Sequence, residues 1–402
     1  MPQQVVKQRS RGFICVNAHP EGCARNVENQ IAHVSGRVYE EPPSGIKNVL
    51  VIGSSTGYGL ASRIAAGWGL GCRTLGVFLE KPPSGRRTAS AGYYNSVAMH
   101  RAAERDGLWA RSVNGDAYSD KVKAGVARIL ADSMGKVDLV IYSLASPKRT
   151  NPRTGNTHSS SLKAIGSPYT GKTIDLSTAE VRTATVEAAD KEHIDETVAV
   201  MGGEDWRWWI EQLSAEGLLA EGARTVAYTY YGPSLTWPIY RDGTIGAAKR
   251  HLKETAEELS ETMGRSVGGK AWLSVNKAVV TQASAAIPVV PLYMSLLFRV
   301  MKAGGIHEGC IEQMNRLLLD HIIAPGGPTL DDDGLIRLDD LEMRGDVQEE
   351  IARIWPSVDT ESLRDLADFE GFKRDFNNLF GFDVEGVNYG DPVETETYLE
   401  SS

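Results

Sequence analysis

The chain lacks the features that mark a membrane protein, a secreted disulfide scaffold or a nucleic-acid-binding protein. Only four cysteines occur in 402 residues and none forms a CxxC pair, which favours reduced thiols. No segment reaches the ~20 apolar residues of a membrane-spanning helix, and the amino terminus has no apolar core of signal-peptide length. The formal net charge of −9 is not the signature of a nucleic-acid-binding chain. We therefore expect a cytoplasmic protein with no membrane span and no nucleic-acid partner.

A metal site has little support in the sequence. In the segment "CVNAHPEGC", His19 lies midway between Cys15 and Cys23. A zinc site needs three or four ligands, and no further candidate is obvious nearby. We therefore interpret these residues as structural and predict no metal.

What the chain does have is a regular alternation of short apolar runs and amphipathic stretches. From about residue 46, four such runs are predicted as strands: "KNVLVIG", "RTLGVFLE", "LWARSVNGD" and "VDLVIYSLAS". Two later strands are predicted in "ARTVAYTYYG" and "AWLSVNKAVVTQAS". This alternation is typical of βαβ units, whose strands form a parallel sheet. We predict an α/β fold with a doubly wound, mostly parallel Rossmann-type sheet and helices on both faces.

Residues 147–222 interrupt that rhythm. The segment begins polar and rich in Gly, Pro, Ser and Thr, and the alternation in "GKTIDLSTAEVRTATVE" predicts a hairpin. Long insertions at strand ends commonly cover substrates, so we expect this one to lie over the active site. The chain as a whole, 1–402, is predicted to be one enlarged Rossmann-type domain, with a mobile polar tail at 391–402.

A glycine-rich turn follows the first predicted strand. "GSSTGYG" places Gly53, Gly57 and Gly59 between a strand and a helix. Glycines in this context let the backbone approach a pyrophosphate, which the free N–H groups of the helix amino terminus stabilise. The alternative is an ordinary glycine turn, which the flanking strand and helix make the weaker interpretation.

An acidic residue, Glu80, ends the second predicted strand. A carboxylate at this point typically accepts hydrogen bonds from the adenosine ribose and repels a 2′-phosphate, which favours NADH over NADPH. Lys81, Arg86 and Arg87 follow closely and are able to attract that phosphate. Glu80 is otherwise an exposed acid at a strand end.

Further candidates end the third and fourth predicted strands. Asp116 and Ala117 follow the third, and Leu144 and Ala145 follow the fourth. Ligands of doubly wound sheets bind at the carboxyl ends of the strands. Asp116 is predicted either to hold the adenine edge or to cap the following helix.

The segment "WPIYRDGTIGAAK" carries a tyrosine, Tyr240, and a lysine, Lys249, nine positions apart. Nine positions are about two and a half helical turns, so the two side chains cannot share one face of a single helix. Asp242-Gly243 is a turn signal, and Asp242 or Thr244 is a suitable helix cap. We therefore predict Tyr240 before a helix and Lys249 within its first two turns, both directed at one pocket. A nearby amine is expected to help the phenol act as a proton donor; a buried core tyrosine beside a solvated lysine is the alternative.

Several longer motifs in order resemble a known family. "RGFICVNAHPEGC", "GSSTGYGLASR", "MGGEDWRWWI", "YRDGTIGAAK" and "SVNKAVVTQASAAIPVVPLY" are similar to those of the trans-2-enoyl-CoA reductase and V-type enoyl-acyl-carrier-protein reductase family. The resemblance extends from about residue 9 to about 390. It implies a usually monomeric relative of the short-chain dehydrogenases that reduces the 2,3 double bond of an enoyl thioester with NADH in fatty acid synthesis. The implied partner is an enoyl-CoA or enoyl-acyl-carrier-protein substrate.

The same resemblance implies roles for individual residues. Tyr240 is implied as the proton donor, Lys249 as the cofactor-binding lysine and Tyr230 as a tyrosine that contacts the substrate. The residues implied to bind NADH are Gly53, Ser54, Ser55, Thr56, Gly57, Tyr58, Leu79, Glu80, Asp116, Ala117, Leu144, Ala145, Lys249, Val279, Val280 and Thr281. Relatives often have a lysine two positions before the residue that matches Lys249, whereas this chain has Ala247 there.

Two other functions stay open on the residues alone. A ketoreductase or alcohol dehydrogenase of the same fold uses the same Tyr-Lys pair to protonate an alkoxide. A non-catalytic dinucleotide sensor would keep the glycine turn without the chemistry. The complete Tyr240/Lys249 arrangement argues against the sensor.

Overall fold

The computed structural model describes residues 3–11, 14–35, 45–144 and 146–399, and its central element is a seven-stranded sheet. Every strand pair in this sheet is parallel. The strands are β1 (Asn48–Ile52), β2 (Arg73–Phe78), β3 (Ala110–Asn114), β4 (Val137–Tyr142), β5 (Leu219–Thr229), β6 (Lys270–Val275) and β7 (Ile336–Arg337). Their spatial order is β7-β6-β5-β4-β1-β2-β3. The doubly wound parallel sheet is therefore confirmed, and the two-residue β7 is the strand that sequence patterns did not predict.

Helices connect these strands and cover both faces of the sheet. The α-helices are α1 (Pro20–Val34), α2 (Gly57–Ile64), α3 (Ala91–Arg105), α4 (Asp120–Ile129), α5 (Lys191–Met201), α6 (Glu204–Ala215), α7 (Trp237–Tyr240), α8 (Thr244–Val267), α9 (Gln282–Ala286), α10 (Val290–Ala303), α11 (Cys310–Arg316), α12 (Gly345–Ile354), α13 (Leu363–Leu366) and α14 (Phe369–Asn378). Single π-type turns extend α2, α4 and α11 over Ala65–Gly69, Leu130–Met134 and Leu317–Ile322, and a 3₁₀ turn, Ser234–Thr236, precedes α7.

The alternation of side chains along β1 shows how the two faces are filled. Leu50 and Ile52 join a buried cluster with side chains of α4, α6 and α8. Val49 and Val51 point to the opposite face and join a cluster with α1, α2, α3 and α11. Because both faces are buried, the strand is an uninterrupted apolar run, as expected for parallel sheets.

A third apolar cluster lies outside these two layers. It includes buried residues of α10, α12 and α14, together with amino-terminal residues and the side chain of Tyr240. Helices α12 and α14 both pack on α10. The carboxy-terminal helices therefore support the region around Tyr240 and are not a separate appendage.

The segment 147–222 contains the predicted hairpin. Tyr169–Asp175 pairs antiparallel with Glu180–Val186, which confirms it. Short strand pairs precede it at Lys148–Thr150 with Thr157–Ser159, and Ala164–Ile165 pairs with Ala188–Ala189. Helix α6 belongs to the layer on the sheet, where Trp206 and Trp209 are almost fully buried.

The two ends of the described chain meet. Gln3–Gln4 pairs antiparallel with Val393–Glu394, and Ser10–Arg11 pairs with Ile14–Cys15. Beyond this ladder, the side chains of Thr395 and Thr397 are buried. The predicted tail 391–402 thus begins with packed residues, and residues 400–402 lie outside the described ranges; its mobility stays a prediction.

None of the helices in the described ranges combines the length and the apolar character that a membrane crossing requires.

Candidate active site

A large cavity brings most of the predicted site residues together. Its volume is about 1980 Å³, and it is lined by residues that come just after strands β1 to β6. The predicted residues that line it are Gly53, Ser55, Thr56, Gly57, Tyr58, Leu79, Glu80, Asp116, Ala117, Leu144, Tyr230, Tyr240, Lys249, Val279 and Thr281. Ser54 and Val280 are buried and are not part of the lining. Ala145 lies outside the described residues.

The glycine turn has the geometry of a phosphate cradle. Gly53 has φ of +89°, and a Cβ on it would lie 2.1 Å from the backbone oxygen of Ser143. A Cβ on Gly59 would lie 1.9 Å from the backbone oxygen of Gly53. Helix α2 begins at Gly57, and no side chain caps its first N–H groups. These uncapped donors, at the positive end of the helix dipole, fit a pyrophosphate.

Glu80 faces the glycine turn. Its Oε1 accepts a hydrogen bond from the Ser55 hydroxyl at 2.7 Å. The carboxylate packs on α3, where a Cβ on Gly92 would lie 2.0 Å from Oε1. Glu80 is therefore held beside the cradle and is not a free acid at a strand end. Lys81, Arg86 and Arg87 are all exposed around it, and all three lie on the same rim of the cavity.

Asp116 forms a turn and does not cap α4. Its Oδ1 accepts the Tyr118 N–H at 3.0 Å, and the side chain that caps α4 is Ser119, which accepts the Val122 N–H. The helix-cap alternative for Asp116 is therefore wrong. Its side chain nevertheless lines the cavity.

A buried ion pair holds the residues that follow β3. Lys123 Nζ lies 2.7 Å from Asp205 Oδ1 and donates to the backbone oxygens of Ala117 and Tyr118. Tyr142, at the end of β4, donates to the other oxygen of Asp205. These contacts hold the cavity wall at 116–118 in place.

A break in the chain places Tyr240 and Lys249 on one cavity. The short helix α7 ends at Tyr240, and α8 begins at Thr244, so Lys249 lies in its second turn. Gly243 is the residue before α8, where a Cβ would lie 2.6 Å from the Ile239 backbone oxygen. The predicted turn and the predicted placement of both residues are confirmed, but neither Asp242 nor Thr244 caps the helix, because Asp242 binds Arg241 instead.

Tyr240 and Lys249 are in direct contact. The Lys249 Nζ lies 4.5 Å from the centroid of the Tyr240 ring and donates a hydrogen bond to the Tyr230 backbone oxygen. The Tyr240 hydroxyl has no hydrogen-bond partner within the described part of the chain. It is therefore available to a molecule in the cavity.

Burial shifts the pKa of both groups. It raises the pKa of Tyr240 well above its usual value, and the charge of Glu342 adds to that rise. It lowers the pKa of Lys249 to about 7. The lowering of the phenol pKa that was expected from the amine is not found, and Tyr240 keeps its proton throughout the neutral range. A protonated phenol is a donor and not a base.

The hydroxyl of Tyr230 is directed into the protein. It donates to Glu342 Oε1 at 3.0 Å, while the Tyr230 ring lies perpendicular to the Tyr240 ring with 4.8 Å between the centroids. Burial raises the pKa of Tyr230 well above its usual value. If Tyr230 contacts a substrate, it does so through the ring.

Sequence patterns missed Glu342, Lys277 and Tyr293. All three are almost fully buried close to the cavity, and Lys277 lines it. Burial lowers the pKa of Lys277 to about 8. The available signal was the position of Lys277 two residues after β6, since Glu342 lies in an acidic stretch that gives no indication of burial.

The residues of "CVNAHPEGC" are structural. His19 precedes α1 and its Nδ1 accepts the Gly22 N–H at 3.2 Å, while Cys15 and Cys23 are buried and free. Among the described residues, no three His, Cys, Asp or Glu side chains lie close enough together to hold a metal ion.

Three family models match the chain in succession. Residues 5–85 match the NAD(P)H binding domain of trans-2-enoyl-CoA reductase, and residues 87–323 match the trans-2-enoyl-CoA reductase catalytic region. Residues 330–393 match the enoyl reductase FAD binding domain.

The chain is also similar to individual proteins over its full length. It is 52% identical over 397 residues to the Flavobacterium johnsoniae enoyl-[acyl-carrier-protein] reductase [NADH], covering 99% of both chains. It is 51% identical over 401 residues to that of Coxiella burnetii, covering 99% of this chain and 98% of the relative. The structure of Treponema denticola trans-2-enoyl-CoA reductase in complex with NAD superposes with a TM-score of 0.94 at 46% identity, covering 98% of this chain and 99% of that one.

Proposed function

Because the chain belongs to the trans-2-enoyl-CoA reductase family, we propose that it reduces the 2,3 double bond of trans-2-enoyl thioesters through Tyr240 and Lys249. It is an NADH-dependent enoyl reductase, an oxidoreductase of the kind used in fatty acid synthesis. The observation that supports the roles of the two residues is their convergence, in direct contact, on the cavity that also contains the glycine turn and Glu80.

The cavity fits the nicotinamide dinucleotide. The uncapped amino terminus of α2 would hold its pyrophosphate, Glu80 its adenosine ribose, and Val279 and Thr281 its nicotinamide end. When bound, NADH supplies a hydride to the β-carbon of the enoyl thioester. The residues 53–59 and 80 would orient the cofactor.

Tyr240 stabilises the charge that develops on the substrate. Its hydroxyl donates a hydrogen bond to the thioester oxygen, on which negative charge accumulates as the double bond is reduced. Because burial and the nearby Glu342 keep the phenol protonated, it also gives its proton to the enolate oxygen; the enol then becomes the saturated thioester, and the phenolate regains a proton from water. Lys249, in contact with the Tyr240 ring, binds the nicotinamide ribose hydroxyls and adds positive charge beside the phenol.

The carrier, the cell compartment and the oligomeric state complete the proposal. The substrate is carried by coenzyme A or acyl carrier protein, and the protein acts as a cytoplasmic monomer. Enoyl-CoA and enoyl-carrier-protein thioesters of matched chain length, compared by kcat/KM, identify the carrier. Light scattering after size-exclusion chromatography gives the oligomeric state.

Reduction of enoyl thioesters is tested against the two other functions by following NADH oxidation. We expect turnover of crotonyl-CoA or longer enoyl-CoA and none of acetoacetyl-CoA. A preference for acetoacetyl-CoA would instead identify a ketoreductase. NADH binding without turnover of any thioester would identify a sensor.

Removal of the Glu80 carboxylate should weaken the preference for NADH. In Glu80→Ala, the ribose loses a charged acceptor, and the exposed Lys81, Arg86 and Arg87 are left to attract a 2′-phosphate. A hydrogen bond to a charged group contributes ~1.5–3 kcal/mol, so the ratio of kcat/KM for NADH to that for NADPH should fall about tenfold or more.

The effect of losing one negative charge, wherever it lies, needs a control. Glu104→Ala removes an exposed carboxylate from the end of α3, away from the cavity lining. It should leave the cofactor ratio unchanged. An unchanged ratio in Glu80→Ala as well would remove Glu80 from the ribose site.

At the main cavity, the described residues of the segment 330–393 do not form a flavin site. Helices α12 and α14 turn their apolar faces to α10, and Val347, Ile351 and Phe372 are buried there. Of the described residues in this segment, Leu379 and Phe380 alone line the main cavity. A flavin dinucleotide requires donors that face its phosphates, which these two apolar side chains do not provide. We therefore assign no step to a flavin.

A further inference from the structure

Glu342 is a buried carboxylate that none of the roles above uses. It lies between β7 and α12, and its side chain is 0% exposed. A buried carboxylate is costly unless several donors compensate it. Three do so here: Oε1 accepts from the Tyr230 hydroxyl at 3.0 Å and the Tyr293 hydroxyl at 2.7 Å, and Oε2 accepts the Ala278 N–H at 2.7 Å.

Two of these three donors adjoin the reacting groups. The Tyr230 ring stands at 87° to the Tyr240 ring, with 4.8 Å between the centroids. Ala278 immediately precedes Val279 and Thr281, which line the cavity at the expected nicotinamide end. The third donor, Tyr293 on α10, is fully buried and does not line the cavity. Glu342 therefore joins two walls of the site to the carboxy-terminal segment.

We propose that Glu342 is a positioning residue for the reduction: through the Tyr230 hydroxyl it fixes the ring on which Tyr240 rests, and through the Ala278 amide it fixes the segment 279–281. The inference rests on the proposed function and deepens it. The segment 330–393 thereby contributes to the active site through this carboxylate.

The charge of Glu342 has a separate effect. It raises the pKa of Tyr240, second to burial, and so helps the phenol to keep its proton. A buried cation, Lys277, also acts on Glu342. Its Nζ donates to the Ala278 backbone oxygen, and the charge of Glu342 raises its pKa against the effect of burial. The titratable groups that face Glu342 from the surrounding elements are Tyr58, Tyr230, Tyr240, Lys277 and Tyr293.

Glu342→Gln in the full chain tests the proposal, with NADH and the enoyl-CoA that the wild type reduces fastest. Glutamine keeps the size of the side chain but loses the charge and one of the two acceptor oxygens. We expect kcat to fall roughly 10- to 100-fold, as for a small misplacement of a catalytic group. The Kd of NADH should change less, because the glycine turn and Glu80 are intact.

The split between kcat and cofactor affinity separates this effect from a loss of packing. Glu342 contacts the walls that hold the reacting groups and not the glycine turn, so kcat of Glu342→Gln should fall much more than the affinity for NADH. A purely structural role would instead lower the melting temperature and weaken NADH binding along with kcat.

Tyr293→Phe is the matched control. It removes a donor to the same Oε1 while leaving Tyr230 and Ala278 bound, so kcat should stay near that of the wild type. Tyr230→Phe should reproduce the loss of kcat. The double variant, Tyr230→Phe with Glu342→Gln, should have a kcat no lower than that of the more impaired single variant, because both changes break the same hydrogen bond. These phenylalanine variants decide the question even if Glu342→Gln does not fold.

Equal losses of kcat in Glu342→Gln and Tyr293→Phe, in proportion to their melting temperatures, would overturn the proposal. An active wild type together with an unchanged kcat in Glu342→Gln would also overturn it, and the proposed function would then remain. A wild type that reduces no enoyl thioester would instead remove the proposed function, and this inference with it.

Discussion

Replacing Tyr240 by phenylalanine should lower kcat at least ~10²–10³-fold while leaving the affinity for NADH nearly unchanged. The variant removes one hydroxyl, which is free of partners in the described part of the chain and lines the cavity. The ring remains, with its contacts to Tyr230 and Lys249. The fold should therefore persist, and only the donor to the thioester oxygen is lost. Steady-state turnover of an enoyl-CoA and NADH fluorescence titration measure the two quantities.

A tyrosine that is not part of the cavity lining provides the control. Tyr398 is 58% exposed, so Tyr398→Phe should have wild-type kcat and wild-type NADH affinity. Turnover in Tyr240→Phe at the level of this control would remove Tyr240 from the mechanism. A large loss of NADH affinity would show that the hydroxyl serves the cofactor instead.

Replacing Lys249 by methionine should damage both cofactor binding and turnover. The amine contacts the Tyr240 ring and the Tyr230 backbone oxygen, and it lines the cavity beside the expected nicotinamide ribose. Loss of such a donor is expected to lower kcat about 10²-fold, with weaker NADH binding in addition. Lys253→Met, one turn further along α8 and paired with Glu257 at 2.7 Å, is the matched control.

The pH dependence of NADH binding gives a second measurement for the same variant. Burial lowers the pKa of Lys249 to about 7, so the amine is charged below that pH and neutral above it. Only the charged form attracts the anionic dinucleotide, hence affinity should weaken as pH rises through about 7 in the wild type. This step should disappear in Lys249→Met. An effect confined to NADH affinity, with kcat unchanged, would contradict the electrostatic role of the lysine in the reaction.

The parts of the site that local sequence determines could be predicted. The cradle at 53–59 is seven residues long, and its three glycines lie between a strand and a helix. In the second motif, Asp242-Gly243 separates Tyr240 from the helix that carries Lys249. In both places the signal and the structure it specifies lie within one or two turns of chain. The six longer strands of the sheet were predictable for the same reason, because short apolar runs alternate with amphipathic stretches along the chain.

The parts that depend on distant contacts could not be predicted. The direction of the Tyr230 hydroxyl depends on Glu342, which is 112 positions away in the chain. The pKa of Tyr240 is raised by burial and by that same carboxylate, and burial is not visible in a short motif. The sequence is compatible with Asp116 as the cap of α4, but in the structure Ser119 caps this helix.

The ladder between Gln3–Gln4 and Val393–Glu394 has a consequence for protein engineering. It places Gln4, which lines the cavity, opposite Val393, so an amino-terminal and a carboxy-terminal segment hold each other. Because neither strand of this ladder has another strand partner among the described residues, removing either one would leave the other unpaired, whereas an insertion at the exposed tip of the hairpin, Ser177–Thr178, would not disturb it. A fusion partner would then be attached on the hairpin, while the ladder that closes the amino-terminal wall stays continuous.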